Sequence, residues 1–237
     1  MRLAYAAILA TTYLSACGET PLAGFGAAGS GPQSAPSEIT VTADRVVVRG
    51  PTGFCVDPKS SRHGPAQAFI VFGNCAAIAD NDELPQPFVN AIATATVLPS
   101  GRTGPSIGQS EVALAEFFAS DAGKASLSSD GDGGNVEVLD SFARNGAFFV
   151  HARENKSQSS PGHATTYWRG YFDVKNSVVA LSVLGLKDAP LSSSDGLQTL
   201  YDFGNALMEG QAPVTDPTAP KDPNAVTNTG LLRRLFG

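Results

Sequence analysis

Two hydrophobic periods divide the chain between residues 39 and 210. Residues 39–49 (ITVTADRVVVR) are β-rich and stop at Gly50-Pro51. Residues 53–56 are a short apolar piece, and 57–65 (DPKSSRHGP) a polar loop. Residues 67–75 (QAFIVFGNC) have the length and content of a buried strand. After an acidic, Pro-containing loop at 80–87, residues 88–98 alternate, with Val89, Ala91, Ala93, Ala95 and Val97 on one face. The period then changes. Ser106 and Gln109 form a capping box, and Leu114, Phe117, Phe118 and Ala122 share a helical face that Gly123 would end.

Four strands follow as two hairpins. Residues 136–144 and 147–154 flank Asn145-Gly146, a strong two-residue turn signal, and 165–174 and 177–186 flank Lys175-Asn176. The 165–174 strand is two-faced. Trp168, Phe172 and Val174 point one way, and Tyr167, Arg169, Tyr171 and Asp173 the other. A last helix is predicted over 195–209, capped by the serine run at 192–194 and stopped by Gly210. Its apolar stripe is Leu197, Leu200, Tyr201, Leu207 and Met208. Strand runs punctuated by helices predict an α+β domain over 39–210, with an antiparallel sheet of about six to seven strands and two helices.

The flanks read differently. Met1-Arg2 precedes an apolar stretch over 3–14, too short to span a bilayer, which ends in Leu14-Ser15-Ala16-Cys17. This resembles the lipobox of bacterial lipoproteins at all four positions. The resemblance implies a signal peptide over 1–16, cleavage before Cys17, and lipid on the Cys17 thiol and the new amino group. The other reading is an ordinary secretory signal that leaves Cys17 a free thiol. Gly18, where lipoproteins held at the inner membrane carry Asp, leans towards the outer membrane. One acyl chain holds a protein marginally and two or three hold it stably. Residues 17–38 read as a flexible tether of Gly, Ala, Ser and Pro. Residues 211–237 read as a disordered tail ending in Leu231-Leu232-Arg233-Arg234-Leu235-Phe236, a basic amphipathic patch suited to a membrane surface, a partner, or weak docking on its own domain.

The element order is similar to the PsbP-like fold, which implies a sandwich of a small β-unit, a helix, an antiparallel meander and a C-terminal helix. The run Gly53-Phe54-Cys55-Val56-Asp57-Pro58-Lys59-Ser60-Ser61-Arg62, with Gly73-Asn74-Cys75, looks like a lipoprotein family of marine and phototrophic α-proteobacteria. Some of its members carry a "cation transport ATPase" label. The residues give that label no support: the chain has no DKTG, no P-loop and no set of membrane spans.

Composition narrows the function. Net charge is −6, with 16 Lys and Arg against 22 Asp and Glu, so no nucleic-acid partner is expected. Setting Cys17 aside leaves Cys55 and Cys75, and an even pair in an oxidising compartment suggests one disulfide, with two buried thiols as the alternative. No metal or cofactor is expected.

Candidate chemistry is sparse. Gly104-Pro105-Ser106-Ile107-Gly108 matches the G-x-S-x-G elbow between a strand and a helix, but loop residues intervene and Ser106 also suits an N-cap. Arg62-His63-Gly64 matches a three-residue phosphatase motif, but follows a turn rather than a buried strand. Residues 130–135 (DGDGGN) lack the later ligands of a calcium loop. His63, His151 and His163 fall in separate elements. The stronger candidate is a binding face made by Tyr167, Arg169 and Tyr171, which His151 could join; Tyr and Arg are enriched at interfaces, and the alternative is that the C-terminal helix covers this face and the Tyr rings are core. The expectation is a lipid-anchored envelope protein facing the periplasm, acting as a non-enzymatic binding or structural module with an envelope partner. The alternative is a small envelope serine hydrolase using Ser106.

Overall fold

The computed structural model describes residues 35–99, 104–155 and 162–211. The expected signal peptide, Cys17, most of the expected tether and, beyond Gln211, the expected tail with Leu231 to Phe236 lie outside the described residues.

The first β segment is a hairpin rather than the single strand expected over 39–49. Strands β1 (Glu38–Val41) and β2 (Val46–Arg49) pair with Val41 opposite Val46. Thr42 and Arg45 take φ of 61° and 52° at the turn, where Thr42 C=O accepts from Arg45 N–H. Splitting the run lets Val41, Val46 and Val48 face the core together.

The rest follows as β3 (Phe54–Val56), β4 (Arg62–His63), β5 (Ala68–Asn74), α1 (Cys75–Ala79), β6 (Ala91–Pro99), α2 (Glu111–Ala119), α3 (Asp121–Leu127), β7 (Val136–Arg144), β8 (Ala147–Glu154), β9 (His163–Val174), β10 (Ser177–Leu186) and α4 (Ser193–Gly210). Among the described residues the main sheet has eight antiparallel strands, in the order β3-β5-β6-β10-β9-β8-β7 with β4 paired to β5. The fold is therefore α+β, with two more helices than the periodicity predicts and a larger sheet. After β6 the chain crosses to the far edge through α2 and α3. It then returns strand by strand until β10 meets β6.

Cys55 and Cys75 form the expected disulfide, with Cα atoms 4.8 Å apart. Closing a loop of this size stabilises by about 3 kcal/mol in the chain-entropy view. Cys75 does not lie in a strand. It opens α1, because the Asn74 side chain accepts from Ala76 N–H and caps the helix there.

The expected single helix after Ser106 is two. Ser106 caps a short 3-10 turn (Ile107–Gln109), and the chain breaks again at Ser120, whose hydroxyl accepts from Gly123 N–H to start α3. Gly123 is thus the entry to a helix and not its stop. A Cβ there would lie 1.9 Å from Phe117 O, so the corner requires Gly.

Each sheet face has its own core. On one face, α4 sets Leu200, Phe203 and Leu207 against Ile70, Phe72, Val179, Leu181 and Phe172, with β1 and β2 alongside. Gly204 lets the helix approach, since a Cβ there would meet the Phe172 ring at 2.8 Å. Of the expected stripe, Leu200 and Leu207 are buried, but Met208 is 51% exposed and Phe203 takes the central place. Gly210 is the last residue of α4, and no left-handed Gly ends it. Gln211, expected to open the tail, pairs with β2 instead. Its side-chain amide donates to Val47 C=O at 2.6 Å and accepts from Val47 N–H at 3.2 Å. On the opposite face, α2 and α3 lay Phe118 and Leu127 on Phe148, Val150, Ala152 and Tyr167.

Candidate binding cleft

The helix pair α2–α3 covers only part of its sheet face. Beyond it, Phe69, Val71, Ile92, Thr94, Thr96, Leu98, Ala180 and Leu184 of β5, β6 and β10 face outward without being buried, while Ser182 on the same face is buried. Phe69 is 41% exposed and Leu98 45%. The cross-strand register sets Thr94 between Val71 and Ser182, and Ile92 opposite Leu184.

Where the roof ends, a cleft of about 350 Å³ opens between the tip of α3 and this bare floor. Phe69, Ile92 and Leu184 form its apolar floor, Leu127 and Ser129 its wall. That volume lies within the range of small-molecule sites, which are commonly apolar with a few convergent polar groups. A second hollow of about 480 Å³ adjoins at Phe69, bordered by Arg62, His63 and Leu98.

Three polar residues of β8 and β9 give the cleft its electrostatics. Arg169 Nε donates to Ser182 Oγ at 2.8 Å, and Nη1 donates to Ser126 C=O at 3.1 Å near the C-terminal end of α3. Its guanidinium carbon sits 5.5 Å from the Tyr167 ring centroid. Tyr167 donates its hydroxyl to Leu127 C=O at 2.6 Å, and burial pushes its pKa up to about 12, so it stays a neutral donor. Glu154 Oε1 accepts from Ser128 Oγ, Ser129 N–H and Ser129 Oγ, which pins the loop after α3.

The expected face of Tyr167, Arg169, Tyr171 and His151 is thereby redrawn. Tyr167 is only 6% exposed. Tyr171 stacks on Phe118 at 5.1 Å under α2, and burial raises its pKa against the opposing pull of Arg169. Both rings are mainly core, covered by α2 and α3 rather than by the C-terminal helix. His151 is on the other face altogether, stacked on Trp168 with centroids 4.5 Å apart. Arg169 is on the same face as the two Tyr residues and is partly exposed.

The remaining motifs do not converge. Ser106 Oγ accepts from Gln109 N–H at 3.3 Å, and Gln109 Oε1 accepts from Ser106 N–H at 3.1 Å. The hydroxyl therefore serves a capping box, and none of its hydrogen bonds runs to a histidine. Arg62 and His63 form β4, an exposed edge piece. Asp132 caps the short 3-10 turn Gly133–Asn135 within the 130–135 loop by accepting from Gly134 N–H. Among the described residues no three His, Cys, Asp or Glu side chains gather to hold a metal.

Phe69, Ile92, Leu184, Ser182 and Glu154 were not singled out from sequence. The available signal was that β6 carries Ile92 and Leu98 opposite its alanine face, a strand apolar on both sides. Compared with protein-family models, curated proteins and solved structures, the chain matches none.

Proposed function

We propose that this chain is a lipid-anchored cell-envelope protein, facing the periplasm, whose domain is a non-enzymatic binding module. The observation that carries the reading is the cleft beside Arg169 on a sheet face left half open. A formed, mainly apolar hollow with a few oriented polar groups is what a binding module needs. The Leu14-Ser15-Ala16-Cys17 resemblance supports anchoring through Cys17, and the Cys55–Cys75 bridge fits an oxidising compartment. The membrane is then the first partner, met through lipid, with the outer membrane favoured over the inner. An envelope partner or ligand is the second.

Two readouts test this in the producing cells. Cys17→Ala moves the protein from the membrane to the soluble fraction, and unchanged membrane retention contradicts the anchor. A photoreactive benzoylphenylalanine at Thr94, in the cleft floor, yields a specific adduct, whereas one at Val112 on the outside of α2 yields none. A blank at Thr94 contradicts the binding site.

A further inference from the structure

We propose that the cleft binds a small amphiphile with a single anionic head, a carboxylate in the simplest case. The head would sit at Arg169 and the apolar body on Phe69, Ile92 and Leu184. This rests on the reading of the cleft as a binding site and adds the chemistry of the ligand.

The argument begins with charge. Arg169 is the one guanidinium or ammonium among the described residues lining the cleft. Its bonds run to Ser182 Oγ and the Ser126 carbonyl, and it touches the Tyr171 phenol. All of these are neutral. Among the described residues, neither of these bonds of Arg169 runs to a carboxylate. A half-buried cation bonded only to neutral acceptors is incompletely compensated, and an anion brought in by a ligand gains from that.

Position comes next. Ser182 and Arg169 are cross-strand partners, and Thr94 is the next partner of Ser182 on β6. The buried Ser182 hydroxyl holds the guanidinium, and Thr94 lies one strand further out on the floor. Glu154, the opposing charge, is four residues along β8 from Val150, the register partner of Arg169. The two side chains nonetheless both reach the end of α3, Arg169 at Ser126 and Glu154 at Ser128 and Ser129, so Glu154 is a neighbouring charge in the same cleft. Three donors from Ser128 and Ser129 already engage its carboxylate. These donors partly compensate the Glu154 carboxylate, which lessens its repulsion of an anion at Arg169.

The number of donors sets the class of head. Nε and Nη1 of Arg169 are already bonded and the Tyr171 phenol is in contact, so only a few N–H donors of the guanidinium remain for a ligand. That suits a carboxylate better than a doubly charged phosphate, which draws on several cationic or N–H donors. The floor sets the body. Phe69, Ile92 and Leu184 are apolar, and the adjoining hollow at Leu98 extends that surface away from Arg169.

The test is titration of the full-length chain with octanoate, octanol and octylammonium, followed by calorimetry or amide chemical shifts. Octanoate is expected to bind saturably at one site, about tenfold tighter than octanol, as a single charge-assisted contact predicts. Octylammonium is expected to bind more weakly than either. Arg169→Gln brings octanoate down to the octanol level. Because Arg169 also braces α3, a second variant, Thr94→Trp, fills the floor without touching the guanidinium and abolishes binding of all three probes. Octanol or octylammonium binding as tightly as octanoate, and lost in Thr94→Trp, overturns the anionic ligand while leaving the cleft a binding site. Absence of saturable binding by every probe overturns the inference, and a blank at the Thr94 photocrosslink alongside it overturns the binding reading too.

Discussion

Over β8 and β9, the sheet face under α2 and α3 carries Phe148, Val150, Ala152 and Tyr167, and every one of these is buried. Over β5, β6 and β10 the same face carries Phe69, Ile92, Thr94, Leu98 and Leu184, none of them buried, with Ser182 at the Arg169 border the buried exception. One continuous ladder of hydrogen bonds joins the two halves. What differs is the roof. The closed half alternates large apolar groups with residues of the opposite core, and needs a lid to remove them from water. The open half mixes Thr and Ser with fewer large apolar groups, so it tolerates solvent while keeping enough apolar surface to hold a ligand. The cleft lies on the border, where the end of α3 supplies one wall and Arg169 the charge.

The sharpest way to break this comparison is truncation on each side. Phe118→Ala removes the ring that stacks on Phe148 and Tyr171 and should cost about 3–5 kcal/mol. Phe69→Ala on the open half should cost about 1 kcal/mol or less, because its ring is already partly in water. Urea unfolding measures both, and equal costs would mean that the open half is structurally covered. A smaller effect tests how the roof is attached. Ser106→Ala removes the cap of the turn that leads into α2 and should cost about 1 kcal/mol. Ligand binding at the cleft should persist in that variant, and a hydrolytic activity lost with it would favour the serine-hydrolase alternative.

The smallest effect lies on the opposite face. Burial holds the His151 imidazole below its usual value of 6.5; Asp140 pulls the other way and Arg153 reinforces the depression. The unfolded chain therefore binds the proton more readily. The His151 contribution to stability is complete above about pH 6.5 and is lost as pH falls through the depressed folded value. Denaturation midpoints in this range should slope downward with acid, and His151→Gln should flatten the slope.

How much was legible follows from where the information resides. Period-two alternation sorted β9 correctly, because its two sides depend only on local order: Trp168, Phe172 and Val174 against Tyr167, Arg169 and Tyr171. Whether His151 joins that face was not legible, because matching faces across strands depends on register, which pairs His151 with Trp168. The Asn145-Gly146 turn was legible because φ of 51° and 79° demands those residues. The Ser106 cap was legible too, but the break at Ser120 was not. It is fixed by the close approach of Gly123 to Phe117, a tertiary contact. Phe203 lay between the marked positions of its helix, and only packing against Phe54 and Phe72 reveals it as the centre. The open half of the sheet was not legible, because strand patterns say which residues share a face and not how far a helix pair reaches across it.

The most direct measurement is amide chemical-shift mapping of the full-length chain as octanoate is added. The account predicts saturable shifts at Phe69, Thr94, Arg169 and Ser182, with Val112 and the α4 residues unmoved. Shifts centred on α2 or α4, with the β5–β6–β10 floor silent, would contradict it.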